Sequence, residues 1–172
     1  MKNKHLLTIT LTGLLAALTC AATMLVRVPS ATGYKNLGDC VVLLSGWLLG
    51  PIWGFLAGGI GSGLADLLAG YGYYVPGTFI IKGATSLVFA LLYASLKKKM
   101  NPHLSFIIAA AVGESVMVAG YFGYSFIFLG KGIGAAASVP GNVVQGLIGI
   151  AAAFLILLGL AKIKDIDKIK KS

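Results

Sequence analysis

The sequence predicts an all-α membrane protein with six transmembrane helices, because long apolar runs fill the chain and few charges interrupt them. Hydrophobic residues make up 58% of the 172 residues, and charged residues only 11%, whereas soluble domains carry about 25% charged residues. The runs are longer than membrane strands and lack period-2 alternation. We therefore expect a single integral membrane domain that covers residues 1–172.

The helix boundaries follow from the apolar runs and from the turn residues between them. The N-terminus resembles a signal peptide, but its apolar run is long enough to span a bilayer, so we interpret it as a retained first helix. Gly50-Pro51 separates helices 2 and 3, and the tyrosines of loop 70–75 suit a membrane interface. The predicted helices are 6–28, 37–49, 52–69, 77–96, 104–128 and 140–163.

The basic residues predict the orientation of these helices. The net charge of +9 comes from lysines that cluster at the N-terminus, in loop 97–99 and in the C-terminal tail. Short loops rich in Lys and Arg stay cytoplasmic, so both termini are expected to be cytoplasmic. Because the charges mark helix ends, the expected partner is the lipid bilayer and a nucleic-acid partner is not expected.

Most polar residues of the predicted helices then fall in the outer half of the membrane. A charge at the bilayer centre costs roughly 2.5–3.5 kcal/mol, so ionisable groups there usually face a cavity or a partner. This distribution predicts a solute pocket that opens to the outside rather than a continuous pore. The candidate substrate-binding residues are Asn36, Asp39, Asp66, Lys82, Glu114, Tyr121, Asn142 and Gln145.

The acidic candidates also have structural interpretations. Asn36 can cap helix 2, with Asp39 in the first turn, where the helix dipole favours a carboxylate. Asp66 and Lys82 are predicted at similar depth, so they are expected to pair. Glu114, central in helix 5, needs either a hydrogen-bond donor or a proton.

Two further patterns leave a structural and a functional interpretation open. Asn142 and Gln145 lie three residues apart on helix 6, where amides bind a polar heteroaromatic compound or form interhelical hydrogen bonds. Gly13, Ala17 and Ala21 form a stripe of small residues on helix 1. Such a stripe lets another helix approach closely, either within this chain or from a partner protein.

No pattern indicates catalysis, a metal site or a nucleotide site in this chain. His5 and His103 lie at predicted cytoplasmic ends, far from the outer acidic residues. Residues 58–63 read GGIGSG but lack the Gly-Lys-Ser/Thr ending and the preceding strand of a phosphate loop. We therefore expect no enzymatic activity, no metal and no cofactor bound by this chain.

Nearly the whole chain resembles the substrate-binding subunits, or S components, of energy-coupling factor (ECF) vitamin transporters, most closely the riboflavin-type or hydroxymethylpyrimidine-type subfamily. The segments that carry the resemblance are YKNLGD at 34–39, Gly50-Pro51, AGGIGSGLAD at 57–66 and FIIKG at 79–83.

The resemblance implies a bacterial plasma membrane location, a mechanism and partners. An S component captures a water-soluble vitamin outside, docks on a coupling transmembrane protein (the T component) with two ATPase subunits, and releases the vitamin inside. The partner subunits hydrolyse the ATP. The family docks through an Ala-x-x-x-Ala pattern on helix 1, which Ala17 and Ala21 match, and Gly13 and Ala17 fit the register one turn earlier.

Hydroxymethylpyrimidine or pyridoxine is the vitamin that best suits the candidate residues, because acids and amides match ring nitrogens and hydroxyls while tyrosines match flat rings. Pantothenate would use Lys82 for its carboxylate, and riboflavin would need a larger apolar slot. Three alternatives remain: a stand-alone proton-coupled transporter that uses Glu114 or Asp66, a membrane enzyme, and an assembly subunit.

Overall fold

The computed structural model describes residues 2–30 and 33–160, which form six α-helices and one β-hairpin. The α-helices are α1 Lys2–Leu25, α2 Gly38–Leu49, α3 Pro51–Leu68, α4 Val75–Leu96, α5 Pro102–Ile127 and α6 Val139–Leu160. The strands are β1 Arg27–Ser30 and β2 Gly33–Asn36. Short 3-10 helices, Gly72–Tyr74 and Gly132–Ser138, lead into α4 and α6.

The protein is an all-α membrane protein, as predicted. Five of the described helices are long and apolar enough to cross a bilayer. The 12-residue α2 is about 18 Å long, which is shorter than a hydrocarbon core of about 30 Å. The count of six spans and the cytoplasmic position of the termini therefore stay predictions, and the predicted end of helix 6 at residues 161–163 lies outside the described residues.

A β-hairpin connects α1 and α2, largely in the part of the chain that the sequence analysis left between the predicted helices 6–28 and 37–49. Its strands are antiparallel, with Arg27 opposite Asn36 and Ser30 opposite Gly33. Strands of four residues are too short to show a periodic pattern, which is why the sequence did not reveal them. We call the end of the bundle that carries the hairpin the hairpin end.

Glycines allow α3 to pack closely against α1, α2 and α4. A Cβ atom at Gly54 would lie 2.7 Å from the Cα atom of Gly46 in α2, and one at Gly61 would overlap the carbonyl oxygen of Ala16 in α1. The small-residue motifs of α3 therefore pack helices together within the chain, as such motifs do in membrane proteins.

An apolar cluster fills the end of the bundle opposite the hairpin. It joins one face of α2 and the C-terminal halves of α4 and α6 to the start of α5. Phe89 and Phe106 meet edge to face, with ring centroids 5.0 Å apart. The cluster consists of Cys40, Leu43, Leu44, Trp47, Phe89, Ala90, Phe106, Ala109, Ala110, Ala153 and Leu157. Its packing leaves the hairpin end as the place where polar side chains gather.

Candidate functional site

A polar pocket lies at the hairpin end, between the hairpin, the ends of α3 and α5, and the start of α6. Its volume is about 500 Å³ including the open mouth and the solvent space in front of it. The lining residues are Lys35, Asn36, Asp66, Tyr71, Tyr74, Tyr121, Ser125, Ser138, Asn142 and Gln145. Five of the eight predicted binding residues are among them.

Asp39 and Lys82 form a buried ion pair that is not part of the pocket lining. The Gln145 side chain, which does line the pocket, donates from Nε2 to Asp39 Oδ2 at 2.7 Å. The backbone N–H of Asn36 donates to Gln145 Oε1 at 3.1 Å. One chain of contacts thus joins α4, α2, α6 and the hairpin, and the pocket borders it at Gln145.

The predicted pairing of Asp66 with Lys82 is wrong. Lys82 pairs with Asp39 instead, and Asp66 accepts a hydrogen bond of 2.5 Å from the Thr78 hydroxyl. Thr78 precedes Lys82 by one helical turn, so the hydroxyl rather than the ammonium group faces the end of α3. Similar predicted depth was insufficient to identify the partner, because the choice depends on how α2 packs against α4.

The position of Asp39 agrees with its structural interpretation. It lies in the first turn of α2, where the helix dipole favours a carboxylate. The Asn36 side chain accepts a 2.8 Å hydrogen bond from the N–H of Gly38, the first residue of α2, although Leu37 occupies the N-cap position. Asn36 therefore contributes to the start of α2 and also lines the pocket.

Tyr121 connects the two acidic parts of the site. Its hydroxyl lies 3.0 Å from the Thr78 hydroxyl, which donates to Asp66. The Lys82 ammonium lies 5.4 Å from the centroid of the Tyr121 ring, within the range of a cation–π contact. Tyr121 therefore contacts both the Thr78–Asp66 pair and the cation of the buried ion pair.

Lys35 closes one side of the pocket mouth. Its ammonium donates to Asn142 Oδ1 at 2.6 Å, from the hairpin across to α6. Burial, together with the positive charge of Lys82, lowers the pKa of Lys35. With the Asn36–Gln145 bond, this contact attaches the hairpin to α6 in two places.

Several lining residues were missed as binding residues by the sequence analysis, although weak signals existed. Lys35 directly precedes Asn36, and Tyr71 and Tyr74 belong to the loop that was assigned to the membrane interface. Ser125 follows Tyr121 by one helical turn on α5, and its hydroxyl lies 3.4 Å from the Tyr74 hydroxyl. These residues are neighbours of predicted ones, either along the chain or on the same helix face.

Glu114 lies outside the lining of this pocket. It borders a separate apolar groove between α5 and α6, and its carboxyl oxygens have no hydrogen-bond partner among the described residues. Within residues 2–30 and 33–160, no three His, Cys, Asp or Glu side chains gather as a metal site would require.

The small-residue stripe of α1 faces outward. Gly13, Ala17 and Ala21 are exposed, and a Cβ atom at Gly13 would have no neighbour within 4 Å. The opposite face is buried in the bundle through Thr12, Ala16, Thr19 and Thr23. The stripe is therefore not used for packing within the described part of the chain.

Comparisons with known proteins agree with this architecture. A solved S component of a bacterial ECF transporter matches with a TM-score of 0.69, over 94% of this chain and 97% of that chain. The two sequences are 20% identical, so this likeness shows the fold. A Pyrococcus woesei protein described as "uncharacterized protein in gap 3'region" is 35% identical over 130 residues, which are 74% of this chain and 84% of that protein.

A family model described as "ECF-type riboflavin transporter, S component" matches residues 3–162. Since that match covers nearly the whole sequence, the chain belongs to the S-component family of ECF-type riboflavin transporters.

Proposed function

We propose that this S component binds a small water-soluble vitamin in the polar pocket and delivers it to the cell interior with the help of an ATP-driven coupling module. The observation that carries the proposal is the pocket itself, which presents both donors and acceptors and borders a buried, hydrogen-bonded ion pair. Such a site matches a polar solute, because each ligand group can replace the water it loses.

Hydroxymethylpyrimidine or pyridoxine is the proposed substrate. The amides of Asn142 and Gln145 and the carboxylate of Asp66 suit ring nitrogens and hydroxyls, and Tyr74 and Tyr121 offer flat apolar faces. Riboflavin is the second candidate, favoured by the description of the family model.

Pantothenate fits less well than the sequence suggested, because Lys82 is already paired with Asp39. Its carboxylate would instead need Lys35 at the mouth, in competition with the bond from Lys35 to Asn142.

The partners in this proposal are a T component and two ATPase subunits, which bind and hydrolyse ATP. The exposed stripe of Gly13, Ala17 and Ala21 supports docking, because small residues allow close approach of a partner helix in lipid. We place the protein in a bacterial plasma membrane with six spans and both termini inside, so that the hairpin end faces outward.

A stand-alone proton-coupled transporter is the second candidate function. The observation in its favour is Glu114, a buried carboxyl without a hydrogen-bond partner among the described residues. This function predicts vitamin uptake by the chain alone in liposomes under a pH gradient, whereas the S-component function predicts uptake only with the coupling module and ATP.

The deciding experiment is ligand identification on the purified chain. After gentle extraction the protein is denatured, and released small molecules are identified by mass spectrometry. Calorimetry then tests hydroxymethylpyrimidine, pyridoxine, pantothenate and riboflavin on Asn142→Ala, with Val144→Ala on the exposed side of α6 as the matched control.

Tight binding of hydroxymethylpyrimidine or pyridoxine that Asn142→Ala weakens and Val144→Ala leaves intact would support the proposal in full. Tight binding of riboflavin or pantothenate would keep the capture function and change the substrate. No binding of any vitamin by the folded wild-type chain would overturn the capture function.

A further inference from the structure

A second depression, which we call the α5–α6 groove, runs between these two helices and shares no lining residue with the polar pocket. It has a volume of about 850 Å³ including its open side. Glu114 and Ser115 are its polar lining residues. The others are Ala111, Val118, Ala119, Phe122, Val139, Val143, Gly146, Leu147 and Ile150.

Glu114 is the feature of this groove that requires explanation. Only 4% of the residue is exposed, and neither carboxyl oxygen has a hydrogen-bond partner among residues 2–30 and 33–160. A Cβ atom at Gly146 would lie 3.1 Å from Glu114 Cβ and 3.2 Å from Glu114 Oε2, so the glycine allows the Glu114 side chain to pack closely against α6. Since a buried polar group without a partner is costly, the groove favours an occupant that supplies a donor.

The other polar lining residue does not supply that donor. The Ser115 hydroxyl donates to the carbonyl oxygen of Ala111 at 2.8 Å, so its only proton is already used. Its lone pairs remain available as an additional acceptor. The groove therefore presents acceptors at one point within apolar walls.

The groove opens toward the surroundings of the bundle. Val143 and Leu147 on its α6 side are 43% and 62% exposed. Both α5 and α6 are long and apolar enough to span a membrane, so this open side faces hydrocarbon. An occupant consequently enters from the bilayer and must be largely apolar.

The depth of Glu114 limits the polar part of that occupant. It lies about 18 Å along the helix axis from Pro102 and about 20 Å from Ile127, which is close to the middle of α5. The phosphate-bearing head group of a phospholipid stays at the membrane surface. A group that reaches Glu114 must therefore be small, such as one amine or one hydroxyl.

We propose that the α5–α6 groove binds a membrane-soluble amphiphile with an apolar body and one small hydrogen-bond-donating head, which donates to Glu114. An amine is the best match, because its ammonium form pairs with a carboxylate in an apolar site. The small residues Ala111, Ser115 and Ala119, spaced four apart on α5, provide a smooth floor for the apolar body.

A helix from another membrane protein is the competing occupant, since small residues four apart also permit helix packing. Val143 and Leu147 are exposed and line the groove opposite Ala111, Ser115 and Ala119. A partner helix would meet these two branched side chains before its backbone reached the buried carboxyl group. A flexible chain with a small head reaches Glu114 without this obstacle, so the groove favours the small molecule.

The test uses the full chain in phosphatidylcholine nanodiscs and three matched photoreactive probes. These are a long-chain alkylamine, the corresponding alcohol and the corresponding alkane, each with a diazirine in the chain. The expected result is labelling of α5 and α6 peptides around the groove by the amine, well above the alkane, with loss of labelling when unlabelled amine competes. Labelling by the alcohol alone would keep the proposal and identify a hydroxyl head.

Variants locate the site. Val143→Trp fills the groove, and Val144→Trp places the same bulk on the neighbouring exposed position outside it. We expect Glu114→Leu to reduce specific labelling about tenfold, the change expected for loss of a charge-assisted hydrogen bond. Val143→Trp should reduce it at least as much, because the indole ring occupies the groove, and Val144→Trp should leave it unchanged. Glu114→Gln distinguishes an amine head group from a hydroxyl head group. It removes the ion pair with an amine and retains a hydrogen-bond partner for an alcohol.

Equal labelling by all three probes, or labelling insensitive to Val143→Trp, would overturn the proposal. The same probes are also applied to native membranes, where a crosslink from the groove peptides to a second membrane protein, together with loss of amine labelling, would overturn the proposal in favour of helix docking. If Glu114→Leu fails to fold, the loss of specific labelling in Val143→Trp alone tests the proposal. Vitamin binding, measured on the same nanodiscs, reports the polar pocket, so its failure is distinguishable from failure at the groove.

Discussion

The hairpin end and the opposite end of the bundle both contain buried side chains, but different interactions stabilise them. At the hairpin end, charged and amide groups pair in a connected network around Asp39 and Lys82. At the opposite end, the apolar cluster around Phe89 and Phe106 depends on shape and volume. Ionisable groups inside a membrane are costly and commonly serve a function, which supports the proposal that the vitamin binds at the hairpin end.

The largest expected effect is at the ion pair. Lys82→Met should lower the free energy of unfolding by about 3–5 kcal/mol, because it leaves the Asp39 carboxylate buried without its cation. Chemical denaturation in detergent measures the change. The control is the double variant Lys82→Met/Asp39→Asn, which removes both charges and should recover much of the loss. A double variant as unstable as the single one would show that the charges are not the cause.

A change at the opposite end should separate stability from binding. Phe106→Ala is expected to cost about 3 kcal/mol through the cavity it leaves beside Phe89, and Phe106→Leu clearly less. Since the cluster shares no residue with the pocket lining, the vitamin dissociation constant should stay at the wild-type value in calorimetry. A large loss of affinity would mean that the two ends are coupled.

Gln145→Ala should affect both properties at the hairpin end. The variant removes a donor to Asp39 and a pocket-lining amide, so we expect a stability loss of about 1–3 kcal/mol and an affinity loss of about tenfold. Val144→Ala, the exposed neighbour on α6, is the control for calorimetry and denaturation. Unchanged affinity would move the vitamin away from this amide.

A change in the exposed stripe of α1 should separate uptake from both stability and vitamin binding. Ala17→Leu should change stability by less than about 0.5 kcal/mol, because its side chain points away from the bundle. Vitamin binding should persist while uptake with the coupling module in proteoliposomes is lost. Leu18→Phe adds bulk at an exposed position outside the stripe and should retain uptake. Normal uptake by Ala17→Leu would place docking elsewhere.

The sequence revealed the apolar helices and the polar residues, but not which polar groups meet. Helix periodicity and glycine spacing depend on local sequence, so the helices and five lining residues could be predicted. The pairing of Lys82 with Asp39 depends on the packing of α2 against α4, and the hairpin depends on two strands of four residues. Glu114 shows the same limit, since only the structure places it in a groove separate from the pocket.

The smallest expected effect is a pH dependence confined to the hairpin end. Burial, with the nearby charge of Lys82, lowers the pKa of Lys35 below its usual 10.5, so the unfolded chain holds this proton to higher pH than the folded protein does. Between the folded pKa and about 10.5, the unfolded state binds more protons, and the contribution of Lys35 to stability therefore rises with pH. Below the folded pKa, both states keep the proton and this contribution is constant.

Denaturation from neutral to alkaline pH, compared between the wild type and Lys35→Met, measures this contribution as a difference between the two curves. Lys35→Met should lack the rise, whereas Phe106→Leu at the opposite end should shift the whole curve downward and keep its slope. If Lys35→Met retained the wild-type slope, the Lys35–Asn142 contact would not hold the ammonium in a desolvated site, and the contrast between the two ends would rest on the Asp39–Lys82 pair alone.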